Sequence, residues 1–127
     1  MLNTLRFGIE IETVGLGREG LANAIQSVVG GTKTADYRSW KIVDAKGRSW
    51  RVVPDGSLSG GEQSGEIVSP VLGYDDIDEL QQVVRAVRNA GGRSDQSCGI
   101  HYALVFVMRE RAWRCLNSTP LRNLARA

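Results

Sequence analysis

Histidine and cysteine are scarce in this sequence, and their scarcity limits the chemistry that the chain can perform. One histidine, His101, and two cysteines, Cys98 and Cys115, occur among 127 residues. The cysteines have neither CxxC spacing nor a companion cluster, which favours buried or incidental thiols over a disulfide or a zinc site. A single histidine excludes most zinc sites and makes any Ser-His-Asp triad depend on His101.

Long apolar runs are also missing. The longest run, residues 102–108, is far shorter than the roughly 20 residues that a membrane-spanning helix needs. Residues 1–4 show no basic start followed by an apolar stretch, so no signal peptide is predicted. We therefore expect a cytoplasmic protein with no membrane partner.

Charge is unevenly distributed along the chain. The formal net charge is +2, but residues 109–127 carry five of the 16 basic residues and one of the 14 acidic residues. Length and composition predict a single domain, residues 1–127, with this Arg-rich segment as an atypical tail. The tail residues that could bind an acidic protein partner are Arg111, Trp113, Arg114 and Arg122. The alternative is a solvated helix face, and nucleic acid is not expected because no groove-reading motif is present.

The segment at residues 5–13 alternates apolar and polar side chains, as a strand with one face in a hydrophobic core does. Glu10 and Glu12 then share the polar face, with their carboxylates roughly 6 to 7 Å apart. One divalent cation or a pair of cations could bridge them. The alternative is a solvated outer face, unless other acidic residues converge on it.

A β-hairpin is predicted by residues 40–43 and 49–53, which flank a turn-forming cluster. Pro54 follows and cannot continue a central strand, and the Asp-Gly step after it favours a turn. Asp55 would therefore be presented at a strand end, where functional sites are commonly built.

A further strand is predicted at residues 66–72, with Glu66 on the face opposite Ile67. Glu66 is therefore a candidate for the same face as Glu10 and Glu12.

Residues 98–108 predict a buried strand with His101 near its beginning. A histidine with satisfied hydrogen bonds in the core or at a strand end is the alternative to a ligand.

Helical spacing of apolar residues predicts two amphipathic helices. One covers residues 21–29, and the other covers residues 75–90 with acidic residues first and basic residues last. A short terminal helix is also predicted, with Thr119 as its cap and Pro120 in its first turn.

Four motifs occur in an order that is more specific than any one of them. They are Phe7-Gly8-Ile9-Glu10-Ile11-Glu12, Asp55-Gly56-Ser57-Leu58, Gly65-Glu66-Ile67-Val68-Ser69-Pro70, and Cys98-Gly99-Ile100-His101. Together they resemble the amidoligase family, which is similar to glutamine synthetase and glutamate-cysteine ligase in the carboxylate-amine ligase superfamily. The resemblance covers about residues 5–102.

The resemblance implies an α+β fold, a curved and mainly antiparallel sheet forming a partial barrel, with two helices packed on one face. It implies that Mg²⁺ and ATP bind the other face, where the γ-phosphoryl group passes to a carboxylate and an amine then displaces phosphate. Glu10, Glu12 and Glu66 would bind the metal and nucleotide. Asp55 and Ser57 would shape the substrate side, and His101 would contact phosphate or metal.

The sequence also departs from the family pattern. The usual Gly-x-His-x-His motif has Ala103 at its second histidine position, and the resemblance covers only the N-terminal half of a family member. A half-barrel would leave strand edges for the tail or a second copy of the chain to cover, so a homodimer is one expectation.

Two functions remain open. The retained acidic residues favour an ATP-dependent ligase. Unpaired charges in an interior lower stability, so a remnant without catalytic function would have no need to keep them. The short, altered C-terminal region favours an inactive remnant that serves as a binding or inhibitor protein of a phage or mobile element, of the anti-CRISPR type.

Overall fold

The computed structural model describes residues 5–106 and 119–120, with side chains described for residues 5–100. The elements in chain order are β1 (Leu5–Val14), α1 (Arg18–Val29), β2 (Thr32–Asp36), β3 (Ser39–Val43), β4 (Ser49–Val53), β5 (Ser64–Val68), β6 (Leu72–Gly73), a 3₁₀ turn (Tyr74–Asp76), α2 (Ile77–Asn89), β7 (Ile100–Phe106) and β8 (Thr119–Pro120). No helix in these residues is long and apolar enough to cross a membrane.

The strands form one antiparallel sheet in the order β2-β3-β4-β5-β1-β7-β8, and β6 also pairs with β1. Strand β1 is central, because β5 and β6 pair with it on one side and β7 on the other. Within the described residues the end strands β2 and β8 do not pair with each other, so the sheet is open and is not a closed barrel. The predicted α+β class is confirmed.

Both helices pack on the same face of the sheet, as predicted. The alternating residues Phe7, Ile9 and Ile11 of β1 are buried in the core that Leu21 and Ile25 of α1 share. The apolar stripe of α2 joins this core through Leu80, Val83 and Val87. Arg6, Glu10 and Glu12 of β1 therefore lie on the opposite face, which we call the acidic face.

Helix α1 ends where two glycines adopt conformations that other residues rarely adopt. Gly30 has φ +72° and Gly31 has φ +81°. A Cβ atom on Gly31 would lie 1.8 Å from the carbonyl oxygen of Val43, so a side chain there would clash with the end of β3. These glycines allow α1 to turn directly into β2.

An ion-pair network joins the β3–β4 turn to the beginning of α2. The Arg48 guanidinium contacts Asp44 at 3.0 Å, Asp76 at 2.9 Å and Glu79 at 3.0 Å. Asp44 is buried and also accepts a 3.1 Å hydrogen bond from Trp50 Nε1. Burial acts to raise the pKa of Asp44, but its hydrogen bonds with Arg48 and Trp50 outweigh that effect and lower it.

The strand predicted at residues 66–72 is divided into β5 and β6, with residues 69–71 between them, and two other elements also differ from the sequence predictions. Strand β2 was not predicted, because its residues are polar and mostly exposed at the sheet edge. Thr119 and Pro120 do not begin a helix but pair with β7 as β8. Proline is tolerated there because an edge strand can leave one side of its backbone unpaired. Residues 121–127, the rest of the predicted helix, lie outside the described residues.

Candidate functional site

Three neighbouring strands bring the predicted acidic residues together on the acidic face. Glu12 of β1 lies directly opposite Glu66 of β5 in the antiparallel register. Glu10, two residues earlier, is on the same side of β1. Glu66 also pairs with Val53 of β4, which ends two residues before Asp55.

The four side chains interact with one another. Glu66 is hydrogen-bonded to Glu10, and Asp55 is hydrogen-bonded to Glu12. A hydrogen bond between two carboxyl groups requires a proton, and the raised pKa of Glu66 makes Glu66 the donor to Glu10. We call Glu10, Glu12, Asp55 and Glu66 the carboxylate cluster.

Glu66 has the most strongly shifted acidity in the carboxylate cluster. Burial first, and then its hydrogen bond and repulsion with Glu10, raise the pKa of Glu66 from 4.5 to about 7. Repulsion from Asp55 and Glu12 acts in the same direction. Glu66 is therefore only partly ionised near neutral pH. The unfavourable free energy of bringing the four acids together appears mainly as its raised pKa.

Asp55 is held by the turn that follows β4. The Ser57 hydroxyl donates to Asp55 Oδ1 at 2.7 Å, and the Ser57 amide donates to the same oxygen at 2.9 Å. These hydrogen bonds lower the pKa of Asp55. Ser57 thus orients the carboxylate beside Glu12, which is a physical reason for the Asp-Gly-Ser order.

The other predicted site residues are only partly described. The backbone of His101 pairs with Glu10, so His101 occupies the same row of the sheet, but its side chain lies outside the described residues. The predicted partner-binding residues Arg111, Trp113, Arg114 and Arg122 also lie outside them. Their roles stay predictions.

The carboxylate cluster meets one requirement of a metal site and lacks another. Its donors are carboxylate oxygens, the ligands that Mg²⁺ prefers, and a cation would relieve the repulsion that raises the pKa of Glu66. No three or more acidic, histidine or cysteine side chains in the described part of the chain are arranged to hold a metal ion. The donor chemistry fits Mg²⁺, and binding would require the hydrogen-bonded carboxyls to turn apart.

A second set of polar residues ties together two loops beside the carboxylate cluster. Asp95 accepts hydrogen bonds of 2.5 Å from Ser59 and from Ser97, and the Ser59 amide donates to Ser97 Oγ at 3.1 Å. The hydroxyl groups, Ser59 first, lower the pKa of Asp95 to about 2. Sequence reasoning did not predict this link, because its members lie in separate loops.

A cleft of about 710 Å³ adjoins the carboxylate cluster at Glu12. It runs between α2 and the loop that precedes β7. Its apolar lining includes Ile11, Val87 and Ile100, and its charged lining consists of Glu12, Asp95, Arg88 and Arg93. The cleft therefore combines an apolar wall with two acidic and two basic side chains.

The fold and the site define a class: an α+β protein with an open antiparallel sheet that presents clustered carboxylates on the face opposite its helices. The family model described as "Putative amidoligase enzyme" matches residues 3–104. The chain belongs to this amidoligase family, and the suspected resemblance is confirmed. No curated protein and no solved structure matches the chain significantly.

Proposed function

We propose that the protein is an ATP- and Mg²⁺-dependent ligase that joins a carboxylic acid to an amine. The observation that carries this proposal is the carboxylate cluster, in which the register of β1 and β5 sets Glu12 against Glu66. A sheet protein gains no stability from a Glu66 carboxylate that three acidic neighbours repel. Their convergence is explained by a cationic ligand.

Glu10, Glu12 and Glu66 would hold Mg²⁺, with His101 as a candidate contact for metal or phosphate. The metal supplies charge neutralisation for the polyphosphate during transfer to the acid. Asp55 would remain ionised, because Ser57 lowers its pKa, and would orient the substrate side of the site. Glu66 would lose its proton on binding the metal, since a nearby cation favours the charged form.

The cleft beside Glu12 is the proposed position of the acid substrate. Arg88 and Arg93 would pair with an anionic group of the substrate, while Val87 and Ile11 contact its apolar part. The cleft lies on the helix side of the sheet and shares only Glu12 with the carboxylate cluster, so the reacting carboxyl group would have to reach the cluster past Glu12. This arrangement would bring the acid and the phosphoryl donor together at one end of β1.

Thermal unfolding with and without Mg²⁺, Mn²⁺ and Mg-ATP tests the proposal. Each addition should raise the melting temperature of the full chain, and Glu12→Gln should abolish the increase by removing one cation ligand. Glu62→Gln is the matched control, because Glu62 is exposed in the loop before β5. A metal response that survives Glu12→Gln would make Glu12 a structural partner of Asp55 and contradict its proposed role.

The same experiment addresses the alternative of a binding or inhibitor protein. If Mg-ATP has no effect, the predicted acidic partner of the tail becomes the remaining proposal. Replacing Arg111, Arg114 and Arg122 by Ala should then leave the melting temperature nearly unchanged and weaken partner association in a salt-dependent manner. Sedimentation of the purified chain would show whether it forms the expected homodimer.

A further inference from the structure

Two cations lie side by side on the acidic face, in the strands next to the carboxylate cluster. Lys41 of β3 pairs directly with Arg51 of β4, and both residues are exposed. Their strand neighbours Ile42, Trp50 and Val52 are fully buried in the core shared with the helices. Lys41 and Arg51 therefore lie on the sheet face opposite the helices.

The register places these cations in one row with Glu10. Arg51 pairs with Val68, and Val68 pairs with Glu10. Adjacent strands are about 4.8 Å apart, so the backbones of Arg51 and Glu10 are about 10 Å apart. One small apolar side chain separates the basic pair from the acidic residues.

Within the described residues, Lys41 and Arg51 have no hydrogen bond or ion pair with an acidic side chain. Arg48, in the turn between the same two strands, has three carboxylate partners. Like charges directly opposite each other destabilise a sheet. An anion bound between Lys41 and Arg51 would remove this repulsion and accept charge-assisted hydrogen bonds from both.

We propose that Lys41 and Arg51 bind the polyphosphate chain of a nucleoside triphosphate. This inference rests on the proposed function, because the metal that bridges the other end of the polyphosphate would lie at the carboxylate cluster. A polyphosphate carries several negative charges and is long enough to contact cations on one strand and a metal two strands away. A single carboxylate is too short to contact both.

Calorimetry on the full chain with inorganic tripolyphosphate and Mg²⁺ tests this site without contributions from a nucleoside. Replacing both Lys41 and Arg51 by Gln should raise the dissociation constant roughly 10- to 100-fold, since two charge-assisted contacts are lost. Lys41→Arg keeps the charge and should keep the affinity. Arg85→Gln is the control, because Arg85 is exposed on α2 and far from the acidic face.

The outcomes separate this inference from the proposed function. An unchanged dissociation constant in the double variant, or no binding of tripolyphosphate by a wild-type chain that responds to Mg²⁺, would overturn the inference alone. A wild-type chain that responds to neither Mg²⁺ nor Mg-ATP would overturn both. Tighter binding of a single-stranded oligonucleotide than of tripolyphosphate would identify a nucleic-acid backbone as the ligand and also overturn the inference.

Discussion

Replacing Glu66 by Gln should stabilise the protein at alkaline pH and leave its stability unchanged at acidic pH. Gln has the shape of a protonated Glu and can donate a hydrogen bond to Glu10, as protonated Glu66 does. The substitution therefore removes only the ionised form. The effect measures how strongly the carboxylate cluster opposes the charge on Glu66.

The magnitude follows from the shifted acidity. The pKa of Glu66 rises from 4.5 to about 7 in the folded protein. At about 1.36 kcal/mol per pH unit, this difference corresponds to about 3.4 kcal/mol. Glu66 is only partly shielded from solvent, and screening reduces the expected effect to about 1 to 2 kcal/mol.

The sign is set by which state binds the proton more tightly. Between pH 4.5 and about 7 the unfolded chain loses the Glu66 proton while the folded chain retains it. The free energy of unfolding of the wild-type chain should therefore fall across this window and level off above it. The variant lacks this contribution, so its advantage should grow with pH over the same range.

Urea unfolding in the absence of divalent cations, followed by tryptophan fluorescence, to which the fully buried Trp50 contributes, measures the effect. The unfolding curves of the wild-type chain and Glu66→Gln should coincide near pH 4.5 and differ near pH 8.5. Glu62→Gln should match the wild-type chain at both pH values. An equal gain at both pH values, or a loss of stability near pH 8.5, would refute the reasoning about repulsion among the carboxylates.

Two further predictions concern the scaffold. Arg48→Met should lower the free energy of unfolding at neutral pH by about 3 kcal/mol, because it leaves the buried Asp44 charge without its cation. The loss should shrink as the pH falls below 3.8, the ordinary pKa of Asp, because the unfolded chain binds the Asp44 proton first and the folded chain, with its lowered pKa, follows. Urea unfolding at neutral and at acidic pH measures the loss. Gly31→Ala should lower the melting temperature more than Gly47→Ala does. Both glycines have φ near +80°, but a Cβ on Gly31 would clash with Val43 and one on Gly47 would meet nothing within 4 Å. Equal losses would mean that backbone strain alone sets the effect.

The central part of the fold was predictable because its strands alternate strictly. Burial of Phe7, Ile9 and Ile11 against the helices follows from the period of β1. Strand β2 has no such pattern, since four of its five residues are exposed. It is a strand because β3 offers an unpaired edge, and that property depends on residues elsewhere in the chain.

The site was predictable in its residue types and faces, and less so in its contacts. Alternation placed Glu10, Glu12 and Glu66 on one face, but the pairing of Glu12 with Glu66 depends on register, which no local pattern encodes. The Arg48 network could not be predicted either, because its contacts with α2 depend on the tertiary fold. Its partners Asp76 and Glu79, at the beginning of α2, are brought to Arg48 only by the tertiary fold.

The position of β1 in the sheet has a consequence for how the protein is made. Its partners are β5, at residues 64–68, and β7, at residues 100–106, whereas β2, β3 and β4 pair with their sequence neighbours. Closing such long loops is entropically unfavourable, so distant pairings form slowly. Glu10 and Glu12 leave the ribosome early, yet their row is completed only after β7 has emerged. The growing chain can thus form the β2-β3-β4 meander before the carboxylate cluster is assembled.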